Sequence, residues 1–138
     1  MSPRPNWRTQ DCTKEQARIR LDQAQAFLQV AELLGDETDD LAHPGVAAAL
    51  AVLAGIAASD AACCAVLGQR SRGQDHRQAV ELLAGVGPDG RMLARTLDRL
   101  LDLKDGAHYG LVFVSAHKAA AAVRQARALV EAATTLVR

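Results

Sequence analysis

Apolar residues recur at steps of three and four early in the chain: Ala17, Leu21, Ala24, Leu28 and Ala31, flanked by Phe27, Val30 and Leu34. That period belongs to an amphipathic helix. Its start is marked by Thr13-Lys14-Glu15-Gln16, which has the form of a capping box that satisfies the free amides of a first turn. Gly35 is placed to end it, so the pattern predicts a helix over 13–34 followed by an acidic loop to Asp40. From Val46 to Leu67 the pattern changes to 22 residues with one charge, Asp60, and no polar face. A helix that is apolar nearly all round is expected in the middle of a bundle, covered by its neighbours. His43-Pro44 marks its start, since proline is tolerated in a first turn, and Gly68 marks its end.

Beyond a polar and basic connector, Gln69 to Gln74, Asp75 can cap a short helix carrying Ala79, Leu82, Leu83 and Val86 on one side. Gly87-Pro88-Asp89-Gly90 breaks the chain. A fourth helix is predicted from about 90 to 104, with Leu93, Leu97, Leu100 and Leu101 inward. Gly106 and Gly110 keep Asp105 to Val114 from continuing it, and Leu111–Val114 is the longest strand candidate. Ser115 then caps a long final helix with Ala116, Ala119, Val123, Ala126, Val130, Ala133 and Val137 along one stripe. The expectation is an all-α fold, an antiparallel up-and-down helical bundle of four main helices plus one short helix. Residues 1–12, with two prolines and no period, read as a flexible N-terminal arm, and 13–138 as a single domain.

Composition sharpens this picture. Of 138 residues, 49% are apolar but only 3% are aromatic. The core therefore has to be built from Ala, Leu and Val, which suits closely approaching helices. Sixteen basic and sixteen acidic residues cancel, and binding to nucleic acid would need a local patch. Ten of the 22 residues from Val46 to Leu67 are Ala. Asp60 would cost about 3 kcal/mol near a bilayer centre, so no membrane is expected. Cys12, Cys63 and Cys64 have neither metal-ligand spacing nor the pattern of a disulfide framework, so the adjacent pair reads as small core residues. The opening MSPRPNWR lacks the apolar run of a signal peptide, which leaves the cytoplasm as the expected compartment. No cofactor and no metal is expected.

Ser59 and Asp60, inside the apolar helix, are expected to make a cap or an interhelical hydrogen bond. His43 reads as a helix-start residue and His117 as an exposed first-turn residue. Two clusters carry candidate chemistry. Arg70, Arg72, His76 and Arg77 place three guanidiniums and an imidazole within eight residues. A guanidinium can donate two hydrogen bonds to one phosphate, which makes this a candidate nucleic-acid-binding segment; the alternative is a solvated turn. Lys104-Asp105-Gly106-Ala107-His108-Tyr109-Gly110 concentrates a cation, a carboxylate, an imidazole and the only tyrosine between two helices, where sites tend to be placed. The alternative there is Tyr109 plugging a bundle end with His108 beside it.

The stretch that begins at Leu100, LLDLKDGAHYGLVFVSAHKAAAAVRQARALVEA, resembles the closing third of HEPN-domain proteins. There a helix ends in a short polar motif, often with His or Asp before Tyr, and a capped helix rich in Ala, Arg and Leu follows. The resemblance implies a helical bundle that pairs as a homodimer, and RNA as ligand. In many members it implies metal-independent ribonuclease activity, within toxin–antitoxin or defence systems, with a cognate antitoxin or operon partner. Carried over by position, the catalytic set is Lys104, Asp105, His108 and Tyr109. The family motif has Arg where Lys104 stands and a longer gap than the three residues before His108. Imidazole would handle the proton of a 2′-hydroxyl or leaving 5′-oxygen, and the cation would stabilise charge on the phosphate. Some members lack the motif and serve as binding modules, so a non-catalytic protein-interaction module is the other function class.

Overall fold

The computed structural model describes residues 8–36, 43–72, 76–104 and 114–138. Within them lie the helices α1 (Lys14–Asp36), α2 (Pro44–Leu67), α3 (His76–Leu83), α4 (Gly90–Leu101) and α5 (Ala116–Val137). Two three-residue strands, β1 (Thr9–Asp11) and β2 (Gln69–Ser71), complete the described elements. The fold is all-α, a helical bundle with one small ribbon.

Local chemistry fixes the helix starts. Thr13 and Gln16 form the capping box reciprocally: Gln16 N donates to Thr13 Oγ1 at 3.1 Å and Thr13 N donates to Gln16 Oε1 at 2.9 Å. His43 Nδ1 accepts from Val46 N at 3.2 Å, and Ser115 Oγ accepts from Lys118 N at 3.1 Å. α1 continues one residue past Gly35, whereas α4 stops at Leu101 rather than near 104. Asp75, Asp105 to Tyr109, and the candidate strand at 111–113 lie outside the described residues.

Small side chains set the packing. Ala17, Ala24 and Ala31 of α1 are fully buried at seven-residue steps, facing α2, whose Ala47, Ala48, Ala51, Ala54, Ala57 and Ala61 are buried as completely. With methyl groups at the seam the helix axes can approach closely. α1 runs antiparallel to α2, since Cys12 before α1 meets Cys64 in the last turn of α2. It runs antiparallel to α5 as well, where Gln25 meets Thr134 and Glu32 meets Arg127. α2 is long and apolar enough to cross a membrane by length and composition, and 67% of its most apolar window is buried against the rest of the bundle. Gly55 sits where α2 meets α4 and α5: a Cβ there would strike Leu100 and press on Leu129.

Two expectations about the chain before α1 and after α2 are corrected by the ribbon. β1 and β2 pair antiparallel, Thr9 with Ser71, Gln10 with Arg70 and Asp11 with Gln69. Cys12 N donates to Gly68 O and Arg72 N to Arg8 O, both at 2.9 Å, extending the pairing at each end. So residues 8–12 are not a loose arm, and the connector after α2 is not a plain solvated turn. Gly68 makes the turn possible: at φ 70° it lies in the left-handed region. Its amide donates to Cys64 O, which caps α2 and lets the chain reverse into β2.

The cysteines are corrected too. Cys12 and Cys64, separated by 52 positions, form a disulfide; Cys63 alone is a buried free thiol. Sequence spacing carried no sign of this pair because the ribbon and the α1–α2 seam bring the two residues together, not any local period.

Candidate functional site

Of the two sequence clusters, the basic one is described at Arg70, Arg72, His76 and Arg77, and the other only at Lys104. Arg70 leaves the basic segment and turns to the ribbon and α2. Its Nη2 donates to Gln10 Oε1 at 3.1 Å, and Nη1 lies 4.0 Å from Asp60 Oδ2. Arg72 is exposed at the end of β2, and Arg77 is exposed on α3. His76, the first residue of α3, instead meets Lys104 just beyond α4, with 2.6 Å between Nε2 and Nζ. The structure thus joins one residue from each cluster, while Arg70 bonds to Gln10 and lies near Asp60. Asp105, His108 and Tyr109 follow Lys104 in the chain and lie outside the described residues.

Lys104 Nζ can donate to His76 Nε2 when that ring nitrogen carries no proton. A phosphate oxygen is a stronger acceptor for Lys104 than an imidazole nitrogen, because that hydrogen bond joins opposite charges. A phosphate oxygen placed beside Lys104 would compete for its ammonium and leave that ring nitrogen free. The pair is part-buried, which strengthens such an exchange relative to open solvent.

A second polar centre, of which the sequence marked only Asp60, lies between α1 and α2. Arg20 Nε donates to Asp60 Oδ2 at 3.0 Å, and its Nη1 donates to Gln23 Oε1 at 2.8 Å. Asp60 is thereby shared between Arg20 and the more distant Arg70. Burial pushes the Asp60 carboxyl above its ordinary value; the charge and hydrogen bond of Arg20, and the charge of Arg70, pull it down without offsetting that. This bears out an interhelical hydrogen bond at Asp60. Beside it Cys63 is pushed up to about 12, by burial first and by the Asp60 charge second, with the Ser59 hydrogen bond opposing. A cleft of about 520 Å³ opens over this centre, lined by Gln10, Cys12, Gln16, Arg20, Cys64 and Arg70 among others. The missed signal was Arg20 itself, a charged residue next to the core position Leu21 and within reach of the single charge of α2.

Among the described residues no group of three or more His, Cys, Asp or Glu could hold a metal ion. No protein-family model matches the chain, and no curated protein matches it at a significant level.

Proposed function

We propose that this chain is a HEPN-like RNA-binding protein that grips the phosphodiester backbone at the Lys104–His76 pair. The observation that supports it most is their 2.6 Å approach, which unites the basic segment with the polar motif at the end of α4. Arg77 follows His76 in the chain, and Asp105, His108 and Tyr109 follow Lys104, so the surrounding sequence is rich in groups that bind phosphate or move protons. Lys104 supplies charge to the phosphate. An imidazole, at its ordinary titration range near neutrality, can take the 2′-hydroxyl proton or return one to the leaving oxygen. Such cleavage needs no metal. A cytoplasmic location belongs to the same reading, since RNA is the ligand.

Homodimer formation belongs to it as well, because pairing would bring two such sites to one RNA. It is supported by exposed apolar residues on the outer side of α1, with Leu33 65% and Ile19 54% exposed. The same stripe favours the second reading, a non-catalytic module that docks a cognate antitoxin or other operon partner. Incubation of the purified protein with RNA in chelator separates the two. Cleavage that persists in chelator and falls by about 10²–10⁴-fold in His108→Ala or His76→Ala is the outcome expected of the enzyme. Intact RNA that still co-purifies with the protein leaves RNA binding without catalysis. The absence of both binding and cleavage would contradict the proposal.

A further inference from the structure

The cleft over Asp60 has a composition of its own. Its wall contains a disulfide, Cys12–Cys64, and two guanidiniums, Arg20 and Arg70, held about a single buried carboxylate. Two cations against one anion leave the cleft with a surplus positive charge. Donors are also left over. Arg20 spends Nε and Nη1 on Asp60 and Gln23, and Arg70 spends Nη2 on Gln10 and Nη1 on Ser71 O. Each of these guanidiniums has five N–H groups, so both retain donors beyond these bonds among the described residues. The volume is about 520 Å³. That is the size of a small-ligand pocket.

The two sulfurs differ in access. Cys12 is half-buried and lies just before the first turn of α1, where free amides favour a thiolate. Cys64 is 4% exposed and sits in the last turn of α2. The third cysteine is kept out of the exchange. Cys63 is 2% exposed, and with its thiol pushed up to about 12 it provides almost no thiolate at neutral pH.

We propose that this cleft is a thiol–disulfide exchange site for a small thiol that carries carboxylates, with Cys12 as the reacting sulfur and Arg20 and Arg70 as the carboxylate-binding groups. The thiolate of the incoming molecule attacks Cys12 Sγ. The Cys12–Cys64 bond breaks, and Cys64 leaves as a thiolate that takes up the proton released when the incoming thiol ionised. A second molecule of the same thiol, again as thiolate, attacks the ligand sulfur of the mixed disulfide on Cys12. This releases Cys12 and forms the oxidised dimer of the small thiol. Two electrons pass from two small thiols to the protein, and two cysteine thiols result. The reverse sequence oxidises the protein at the expense of the small-molecule disulfide. Against a reducing thiol pool, a disulfide in such an open cleft is a responsive bond rather than a permanent staple.

The consequence for the fold is local. The bond ties the ribbon and the start of α1 to the end of α2, so reduction removes one covalent tie while the ribbon's hydrogen bonds and the buried alanine seam of α1 and α2 stay in place. The site is independent of the Lys104–His76 reading and stands or falls separately.

The test uses the intact chain with glutathione, which carries carboxylates, and with 2-mercaptoethanol, which carries none. Disulfide reduction is followed by thiol trapping and mass spectrometry. Glutathione is expected to react several-fold faster than the neutral thiol at equal thiolate concentration. Arg70→Gln, which leaves the closer Arg20–Asp60 pair in place, is expected to bring the two rates together by slowing glutathione alone. Cys64→Ser treated with oxidised glutathione is expected to gain one glutathione on Cys12. Equal rates for both thiols in the native protein, an adduct on Cys63, or reduction only in denaturant would each overturn the proposal.

Discussion

The Asp60 carboxylate lies in the middle of an alanine-rich helix, one turn before Cys64, and meets a guanidinium of α1 at 3.0 Å and one of β2 at 4.0 Å. Its proton affinity is nevertheless raised, because burial removes more solvation than the two arginines restore. A carboxyl whose folded value exceeds its unfolded value binds its proton more tightly in the native state. Its contribution to stability is then complete below the unfolded carboxylate range and is lost as pH rises through the raised folded value. Denaturation of the native chain and of Asp60→Asn, followed from about pH 3 to about pH 8 so as to bracket the carboxylate range, checks this. The native chain is expected to gain stability relative to the variant as pH falls. A difference that widens in the opposite direction would show that the arginines outweigh burial. The sequence exposed this residue plainly, as the one charge among the 22 positions from Val46 to Leu67, and its interhelical role was legible. Its partner was not, since Arg20 precedes it by 40 positions and carries no mark beyond its place next to Leu21. Lys104 was marked in the sequence as a candidate, but its approach to His76, across 28 positions, depends on how α3 and α4 pack.

Among the elements, those with a strong period and a cap were read closely: the capping box at Thr13, the His43 start of α2, the Gly68 stop and the Ser115 cap all stand as the sequence implied. The three-residue strands were not, because Thr9–Asp11 and Gln69–Ser71 are too short and too polar to show alternation. The Gly87-Pro88-Asp89-Gly90 break has a structural reason at its last residue. Gly90, the first residue of α4, packs against the Ala84 backbone, and a Cβ would run into that carbonyl. Backbone yields less than a side-chain end, so Gly90→Ala is expected to lose about 1–3 kcal/mol in urea denaturation. Gly85→Ala, where the new Cβ would sit 3.4 Å from Leu82 O in ordinary contact, is expected to lose less. The opposite ranking would mean that this turn is not packed as described. α1 has a further property that its core period concealed. Ile19, Gln23, Ala26, Val30 and Leu33 repeat at four- and three-residue steps on the side opposite the buried stripe, all of them exposed. The spacing is that of a helix-pairing seam, with small Ala26 at its centre.

For the molecule as a whole, that seam is the surface on which a second copy is proposed to pair. Two α1 helices crossing antiparallel at Ala26 would set Ile19 of one against Leu33 of the other, the self-complementary arrangement that a two-fold axis requires. Light scattering at micromolar concentration is expected to give twice the 14.6 kDa chain mass, and Leu33→Glu is expected to return it to one. A native chain already at the single mass would remove the dimer. The RNA-binding proposal is tested most directly by affinity for a labelled single-stranded RNA, measured by fluorescence anisotropy as salt is raised. The native protein is expected to lose affinity linearly in log–log form, as counterions released on binding require. Lys104→Met is expected to weaken binding about tenfold or more at low salt and to reduce the slope by roughly one phosphate contact. Arg70→Ala, whose native guanidinium is turned toward Gln10 and Asp60, is expected to leave both nearly unchanged. Indistinguishable affinity and slope for the native protein and Lys104→Met would contradict the proposal that Lys104 and His76 form its RNA site.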